Sequence, residues 1–459
     1  MSSTTSSSAS PVKPRLPPSP TNFGLNLICL AILVGVVFAL RAKVIHVPNA
    51  PIFLAAVTSI PVVLFDVIFL KVHRRASTGL DWDKPFNVNP RRVALKLLGF
   101  FFTLLPFGIA YWVFPEYQGS FYDPFYGLFK QFWPGLIAST VFYFILVDTL
   151  QKEPEDPYWQ VGAYAWSGFM DSSMLDGRKV KNHYVGWLVK AYFFPLMYVW
   201  LTGNTNRIIN FDLSQISWGN LKMYDFLYDF IFFFDLLFAT AGYAVCFKAI
   251  DTHIRSAEPT MLGWCVALFC YEPFFNGLFE KHYATYGGGG FQSWLEPYPV
   301  LRWIVAGFVI FLVLVYVLAT IAFGVRFSNL THRGILTNGP YRFTKHPAYV
   351  AKNSSWWLTA TPFLVHDLSV ANVEQAIKRC LMLLLMNFMY FMRAKTEERH
   401  LSQDPTYVEY ARWMNEHGVL RFLNKIPIFR YNPPVAPQPY LAAEPLMPPP
   451  PDTAAPAAE

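Results

Sequence analysis

The sequence has few charged residues and no cysteines in a metal-binding or disulfide pattern. Charged side chains make up 15% of the 459 residues, whereas 54% are hydrophobic and 18% are aromatic. This balance excludes an ordinary soluble protein. The five cysteines include no Cys-x-x-Cys pair, so neither a zinc site nor a disulfide framework is predicted. The net charge of +7 comes from Lys and Arg beside apolar runs, which favours membrane topology over nucleic-acid binding.

Common catalytic motifs are also missing. No Gly-x-Ser-x-Gly, His-Glu-x-x-His, Walker or Gly-x-Gly-x-x-Gly pattern occurs in a suitable context, which argues against the hydrolases, metalloproteases and nucleotide-binding enzymes built on them. Asp225 and Asp229 are one helical turn apart and share a face, but no histidine accompanies them. A solvated helix end is the favoured interpretation, and no metal site is predicted.

Long apolar runs are the dominant feature of the chain. They predict an all-α fold, a polytopic transmembrane bundle of about ten helices. The first run is followed by Arg41 and Lys43 rather than by small residues, which indicates an uncleaved span and not a signal peptide. The predicted spans are 23–40, 50–70, 93–114, 132–150, 184–201, 223–247, 259–279, 300–324, 354–366 and 376–392. The run 354–366 is short and has Pro362 near its end, which is also consistent with half of a re-entrant or tightly turned hairpin.

The basic residues predict the orientation of the bundle. Alternate loops carry 26 Lys and Arg residues on one side and 9 on the other. Because Lys and Arg accumulate on the cytoplasmic side, both termini are predicted to be cytoplasmic. The predicted location is the bacterial inner membrane or the endoplasmic reticulum. Residues 1–22 and 432–459, rich in Ser, Thr, Pro and Ala, are predicted to be disordered tails.

Acidic residues inside predicted spans are candidate functional groups because burying a carboxylate in lipid is costly. Asp66 and Asp148 lie near the cytoplasmic ends of their runs and are expected to reach water there. Asp235 and Glu272 lie deeper, and we expect them to line a cavity or to pair with Lys190.

A polar stretch, residues 338–350, separates two apolar runs near the end of the chain. It holds basic side chains, a histidine before a proline and two tyrosines. The orientation places it on the same side as the end of the last apolar run, where Arg393 and Glu397 share one helix face. A basic loop that faces an Arg/Glu pair at the membrane surface predicts a site for a polar, anionic cofactor.

These segments carry a family resemblance. Residues 331–351, with residues 393–399 and 407–410, resemble the isoprenylcysteine carboxyl methyltransferase family, which is related to phospholipid methyltransferases. The resemblance covers residues 326–423 and not the helices before them. It implies a cytoplasmic-facing S-adenosylmethionine site in the last helices and their connecting loop. It also divides the chain into N-terminal helices of unassigned role, 23–299, and a methyltransferase-like membrane domain, 300–431.

The resemblance implies a set of site residues. Arg393 would meet the carboxylate of the substrate, with His346 as a second catalytic residue. Histidine and backbone amides suit the methionine carboxylate, Glu397 suits the cationic amino group, and tyrosine rings suit adenine or the sulfonium. The implied cofactor-binding residues are Arg333, Gly334, Ile335, Leu336, Tyr341, His346, Pro347, Ala348, Tyr349 and Glu397.

The sequence departs from the family pattern at a few positions. Lys345 stands where the family has arginine, and Ala351, followed by Lys352, stands where it has glycine. The leading prediction is methyl transfer from S-adenosylmethionine to a lipophilic acceptor taken from the bilayer, such as an isoprenylcysteine-type carboxylate. Two alternatives stay open: an NADPH-dependent sterol-type reductase, and a lipid-binding or transport protein that is not an enzyme. The acceptor and the oligomeric state are not predicted.

Overall fold

The computed structural model describes residues 15–217, 220–275, 277 and 290–433. Within these ranges the fold is helical, apart from one two-stranded ladder. Seven of the helices are long and apolar enough to cross a membrane, which confirms the all-α polytopic class. They are α1 (Phe23–Arg41), α2 (Ala50–Phe69), α3 (Pro90–Val113), α4 (Asp123–Leu150), α6 (Gly177–Asn210), α7 (Lys222–Ala244) and α10 (Pro299–Ala322).

The other helices are shorter or more polar. The predicted run 354–366 falls largely in α11 (Pro347–Ala360). Its 14 residues rise about 21 Å and do not cross a bilayer. The run 376–392 lies within α12, which is 32 residues long but not among the seven apolar spans. The run 259–279 begins with α8 and then leaves the described residues. These helices are α5 (Pro157–Trp166), α8 (Met261–Leu268), α9 (Gly290–Trp294), α11 (Pro347–Ala360), α12 (Val370–Leu401) and α13 (Pro405–His417).

Several helices begin at a polar cap followed by proline. The side chains of Asn89, Asp156 and Asp404 accept hydrogen bonds from backbone amides of α3, α5 and α13, and a proline comes next in each case. A capping oxygen satisfies an amide that has no partner inside the helix, and proline is tolerated at the first helical position. The local sequence therefore determines where these three helices begin.

The described chain divides into two compact units. The first, here called the N-terminal unit, comprises Phe23–Tyr271 and Phe323–Arg333. The second, the C-terminal unit, comprises residues 15–22, Glu272–Ala322 and the chain from Gly334 onward. The division at residue 300 drawn from the sequence stays a prediction.

The N-terminal unit contains an unusually close helix contact. A Cβ atom on Gly162 in α5 would collide with the backbone carbonyl of Leu95 in α3, and one on Gly99 would collide with the carbonyl of Tyr158. Only glycine permits backbones to approach so closely. The two glycines therefore set the distance between α3 and α5.

The acidic residues of the same unit are paired. The prediction that Asp66 and Asp148 reach water is wrong, because they are 4% and 1% exposed. The Asp148 carboxylate lies 2.7 Å from Arg92 and 3.0 Å from the ammonium of Lys96. Asp229 forms a half-exposed ion pair with Arg207 at 3.1 Å, in agreement with a solvated helix end. Burial of Asp148 is tolerated because two cations neutralise it.

The ladder also belongs to the N-terminal unit. Strand β1 (Ser256–Ala257) pairs antiparallel with β2 (Thr331–His332). The backbone amide of Glu258 continues the contact by donating to the carbonyl of Leu330. The ladder fixes the chain just before residue 334, where it enters the C-terminal unit.

The C-terminal unit has a small hydrophobic core of its own, formed around α13. Ile335 packs there with buried residues of α13 and with partly buried Leu16. Residues 15–22, which the sequence assigned to a disordered tail, pack and hydrogen-bond within this unit. The core comprises Ile335, Tyr407, Tyr410, Ala411, Met414 and Tyr431.

Candidate functional site

The loop before α11 is shaped by glycine and proline. Gly334 and Gly339 adopt φ angles of +113° and +55°, a region that favours glycine because it lacks a Cβ. His346 has a φ of −130° and a ψ of +60°, outside the helical region, and Pro347 follows as the first residue of α11. Proline disfavours the helical region for the residue before it. This local chemistry places the His346 ring at the N-terminal end of α11.

Four residues predicted for the site come together between α11 and α12. The Tyr349 hydroxyl donates to a Glu397 carboxylate oxygen at 2.6 Å. The Arg393 guanidinium lies 5.2 Å from the centre of the Tyr349 ring, and the His346 and Tyr349 rings are parallel, with centroids 5.5 Å apart. Arg393 and Glu397 reach the same place because they are one turn apart on α12.

The imidazole of His346 lies between two glutamates. Its Nδ1 atom is 3.6 Å from a Glu397 oxygen, and its Nε2 atom is 3.3 Å from a Glu398 oxygen. Glu397 and Glu398 are neighbours in sequence, and they approach different edges of one ring. Both ring nitrogens therefore face carboxylates of the chain itself, whereas the resemblance places this ring against the carboxylate of the cofactor.

Glu398 is a residue of the site that the sequence prediction missed. Its carboxylate lies 2.5 Å from Lys345 and 3.1 Å from Lys395. Burial alone would raise the pKa of Glu398, but the hydrogen bond from His346 and the charges of Lys345, His346 and Lys395 hold it below its usual range. The available signal was the pair of adjacent glutamates, of which only one can share the Arg393 face.

Lys345, the departure from the family's arginine, is the closest partner of Glu398. Burial lowers its pKa, while the attraction of Glu398 opposes that shift. The ammonium also lies 5.3 Å from the centre of the Tyr431 ring. Because lysine presents a point charge and not a planar fork, this contact is an ion pair without bidentate geometry.

A second lysine lies among aromatic rings at the same helices. The Lys352 ammonium is 5.4 Å from the ring centres of Tyr316 and Trp356, and 5.9 Å from that of Tyr390. The Tyr390 ring is also 5.8 Å from the Arg393 guanidinium. Aromatic faces attract cations through their quadrupole. The aromatic faces of α10, α11 and α12 at this place are thus directed at two cations of the chain itself.

The remaining predicted residues of the loop are structural neighbours of the site. Ile335 and Leu336 are buried, and the carbonyl of Tyr341 accepts a hydrogen bond from Tyr410 at 2.6 Å. Pro347 is buried and Ala348 half-buried in the first turn of α11. Ile335 and Tyr341 hold the loop against α13.

Arg333 is engaged elsewhere. It belongs to the N-terminal unit and is 3% exposed. Its five N–H donors are all directed at backbone carbonyls, so its side chain has no donor left for a cofactor. The acceptors are Thr252, Gly242, Phe327, Val245 and Val325, at distances from 2.6 to 3.1 Å. Gly334, the next residue, begins the segment that belongs to the C-terminal unit.

Within the described ranges, no group of three or more His, Cys, Asp and Glu side chains could hold a metal ion.

Residues 300–403 match the isoprenylcysteine carboxyl methyltransferase (ICMT) family, in agreement with the resemblance drawn from the sequence. No curated protein and no solved structure matches the chain. The matched segment contains His346, Tyr349, Arg393 and Glu397. The match supports a membrane methyltransferase.

Proposed function

We propose that the chain is a multi-pass membrane methyltransferase that uses S-adenosylmethionine to methylate a lipophilic acceptor from the bilayer. An isoprenylcysteine-type carboxylate is the acceptor class we favour. The observation that carries the proposal is the meeting of His346, Tyr349, Arg393 and Glu397 between α11 and α12, inside the segment that matches the ICMT family.

The groups at this place fit S-adenosylmethionine chemically. The Glu397 side chain is 31% exposed and offers a carboxylate, already oriented by Tyr349, for the amino group of the methionine part. Aromatic faces attract a sulfonium as they attract other cations, and the Tyr349 and Tyr390 rings, which now face Arg393, would be shared with it. The bound cofactor supplies a methyl carbon activated by that sulfonium.

The residues of the chain have three tasks in this reaction. Arg393 orients an anionic acceptor, and the planar guanidinium suits a carboxylate. Tyr349 and His346 hold Glu397 in position. The aromatic residues around Lys352 exclude water from the reacting atoms, which favours displacement by an acceptor held in line. An ionised carboxylate needs no general base at neutral pH, so none is assigned.

The setting of the site is part of the proposal. The excess of Lys and Arg on one side favours a cytoplasmic loop 338–350 and cytoplasmic termini. Seven helices are long and apolar enough to cross a membrane, so the acyl or prenyl chain of the acceptor would lie in the same bilayer as the protein. Residues 300–431 form the catalytic part, and the N-terminal helices 23–299 have no assigned step.

Binding of labelled S-adenosylmethionine to the purified full-length protein in detergent tests the proposal. We expect saturable binding that His346→Ala and Glu397→Ala weaken at least tenfold, because each removes a group that contacts or orients the cofactor. Glu409→Ala and His417→Ala, at exposed positions of α13, serve as matched controls and should bind normally. Absence of binding by the wild-type protein, or equal binding by all variants, contradicts the proposal.

Product analysis separates the alternatives. Methyl transfer predicts a gain of one labelled methyl group in a lipid fraction. Oxidation of NADPH in the presence of sterols would instead support the reductase, and full biological activity of both site variants would support a protein that binds or transports lipid.

A further inference from the structure

We infer that residues 15–22, here called the N-terminal strap, are a positioning element of the methyltransferase site. The strap holds residues 334–338, the first part of the loop that leads to His346, against the end of α10. The consequence for cofactor binding rests on the proposed function. The contacts themselves lie entirely within the C-terminal unit.

Hydrogen bonds join the strap to the loop. The Thr337 hydroxyl donates to the carbonyl of Pro17 at 2.8 Å, and the Thr337 amide donates to the Ser19 hydroxyl at 3.4 Å. The side-chain amide of Asn338 donates to the carbonyl of Thr21 at 2.6 Å. The N–H and O–H donors of Thr337 and the amide nitrogen of Asn338 thus find their acceptors in the strap.

Apolar contacts reinforce the same pairing. A Cβ atom on Gly334 would lie 3.0 Å from the ring of Pro20, so the strap approaches the loop as closely as a glycine permits. Leu16 packs against the cluster that contains Ile335 and Tyr410. Tyr410 in turn donates to the carbonyl of Tyr341. The strap therefore supports the loop on the path that continues toward His346.

The strap also ties the loop to a membrane helix. The Thr21 hydroxyl donates to the carbonyl of Ala322 at 2.8 Å, the last residue of α10, and Thr21 is 5% exposed. The last carbonyls of a helix lack partners inside it. Between Ala322 and Gly334 the chain belongs to the N-terminal unit. Within the C-terminal unit, Thr21 bonds the end of α10 and, through its own carbonyl, the Asn338 side chain.

Two truncations separate the strap from the tail that precedes it. Removal of residues 1–14 keeps every contact described above, whereas removal of residues 1–21 deletes the strap. Thr21→Val and Thr337→Val remove one hydroxyl each at nearly constant volume, and Thr21→Ser restores the donor. The matched control is Thr58→Val: Thr58 is equally buried, and its hydroxyl donates to a carbonyl of its own helix, α2.

Two measurements are made on each full-length or truncated protein in detergent. One is the affinity for S-adenosylmethionine. The other is hydrogen exchange of a peptide covering residues 334–342, compared with a peptide from α7. Loss of one neutral hydrogen bond changes an equilibrium by about fivefold. We therefore expect Thr21→Val and Thr337→Val to weaken affinity about fivefold and the 1–21 deletion to weaken it more than tenfold. The rate of hydrogen exchange in residues 334–342 should increase in the same order among the variants. The exchange rate of the α7 peptide should not change.

The outcomes are distinct. Normal affinity for the 1–14 deletion, Thr58→Val and Thr21→Ser, with losses in the strap variants, supports the inference. If the 1–21 deletion does not fold, the two Thr→Val variants decide. Unchanged exchange in 334–342 in those variants, or tighter cofactor binding, overturns it. If the wild-type protein does not bind S-adenosylmethionine, the proposed function fails, and the exchange measurement alone judges the strap.

Discussion

Substitution of Glu398 by glutamine tests whether the ion cluster behind His346 holds the C-terminal unit together. The Glu398 side chain is 8% exposed, and Lys345, at 2.5 Å, is 14% exposed. His346 and Lys395 complete the set of partners. Glutamine keeps the size and one acceptor of the side chain but removes its charge. Lys345 would then be a buried cation without a neutralising carboxylate.

The structure sets the size of the expected effect. Removing one partner of a buried ion pair costs about 3–5 kcal/mol. Lys395 is 29% exposed and can regain water, so the loss comes mainly from Lys345, and we expect about 3 kcal/mol of unfolding free energy. The double variant Lys345→Met, Glu398→Gln removes the stranded charge. We expect it to recover stability to within about 1 kcal/mol of the wild type.

Unfolding of the detergent-solubilised protein, followed by tryptophan fluorescence during titration with denaturant, measures these differences. Glu397→Gln is the internal control, because the Glu397 side chain is next to Glu398 in sequence but 31% exposed. We expect its unfolding free energy to change by less than about 1 kcal/mol. Equal stability of Glu398→Gln and the wild type would refute the reasoning. A double variant no more stable than Glu398→Gln would show that the stranded lysine is not the cause.

The same cluster predicts a dependence of stability on pH. The pKa of Glu398 is lowered from its ordinary value of 4.5 in the folded protein. A lowered carboxyl pKa contributes stability that is complete above the unfolded value and is lost as the pH falls toward the folded value. Wild-type unfolding free energy should therefore decline below about pH 4.5 more steeply than that of Glu398→Gln. Parallel curves for the two proteins would contradict this assignment.

Three further substitutions probe other features. Arg333→Lys should cost at least about 2 kcal/mol of unfolding free energy, because three ammonium donors cannot serve the five carbonyls now bound; unchanged stability would exclude the structural role. Gly162→Ala should lower the melting temperature strongly by forcing α3 and α5 apart, whereas Gly127→Ala, which has open space at its Cβ, should not. Tyr349→Phe removes the 2.6 Å bond to Glu397 and should weaken S-adenosylmethionine binding about tenfold with little change in melting temperature.

Apolar runs predicted the membrane helices well where the run was long. α1, α2, α3 and α10 each carry a continuous apolar stretch that no other structure accommodates. The run 354–366 is short and has Pro362 near its end, which the sequence left open as half of a hairpin rather than a span. The helix there starts earlier, at Pro347, and ends at Ala360. Apolar content alone cannot separate a short packed helix from a spanning one.

Helical spacing brought Arg393 and Glu397 together in the prediction, and the histidine before Pro347 was placed by proline geometry. Glu398 and the strap could not be found in this way. Glu398 matters because Lys345 approaches it in space, which no local rule states. The strap looks like a disordered tail by composition, and its order comes from contacts with a loop more than 300 positions later.

The separation of those contacts bears on how the protein is made. Pro17 and Thr337 are 320 positions apart. At a synthesis rate of about 5–20 residues per second, the strap leaves the ribosome roughly 15 to 60 seconds before its partner exists. The strap is thus made well before the loop that it contacts and can reach its place only after residue 337 has emerged. A chain that stops short of residue 334 cannot complete the C-terminal unit. An expression tag that replaces residues 1–21 would remove the strap, with which residues 334–338 pair.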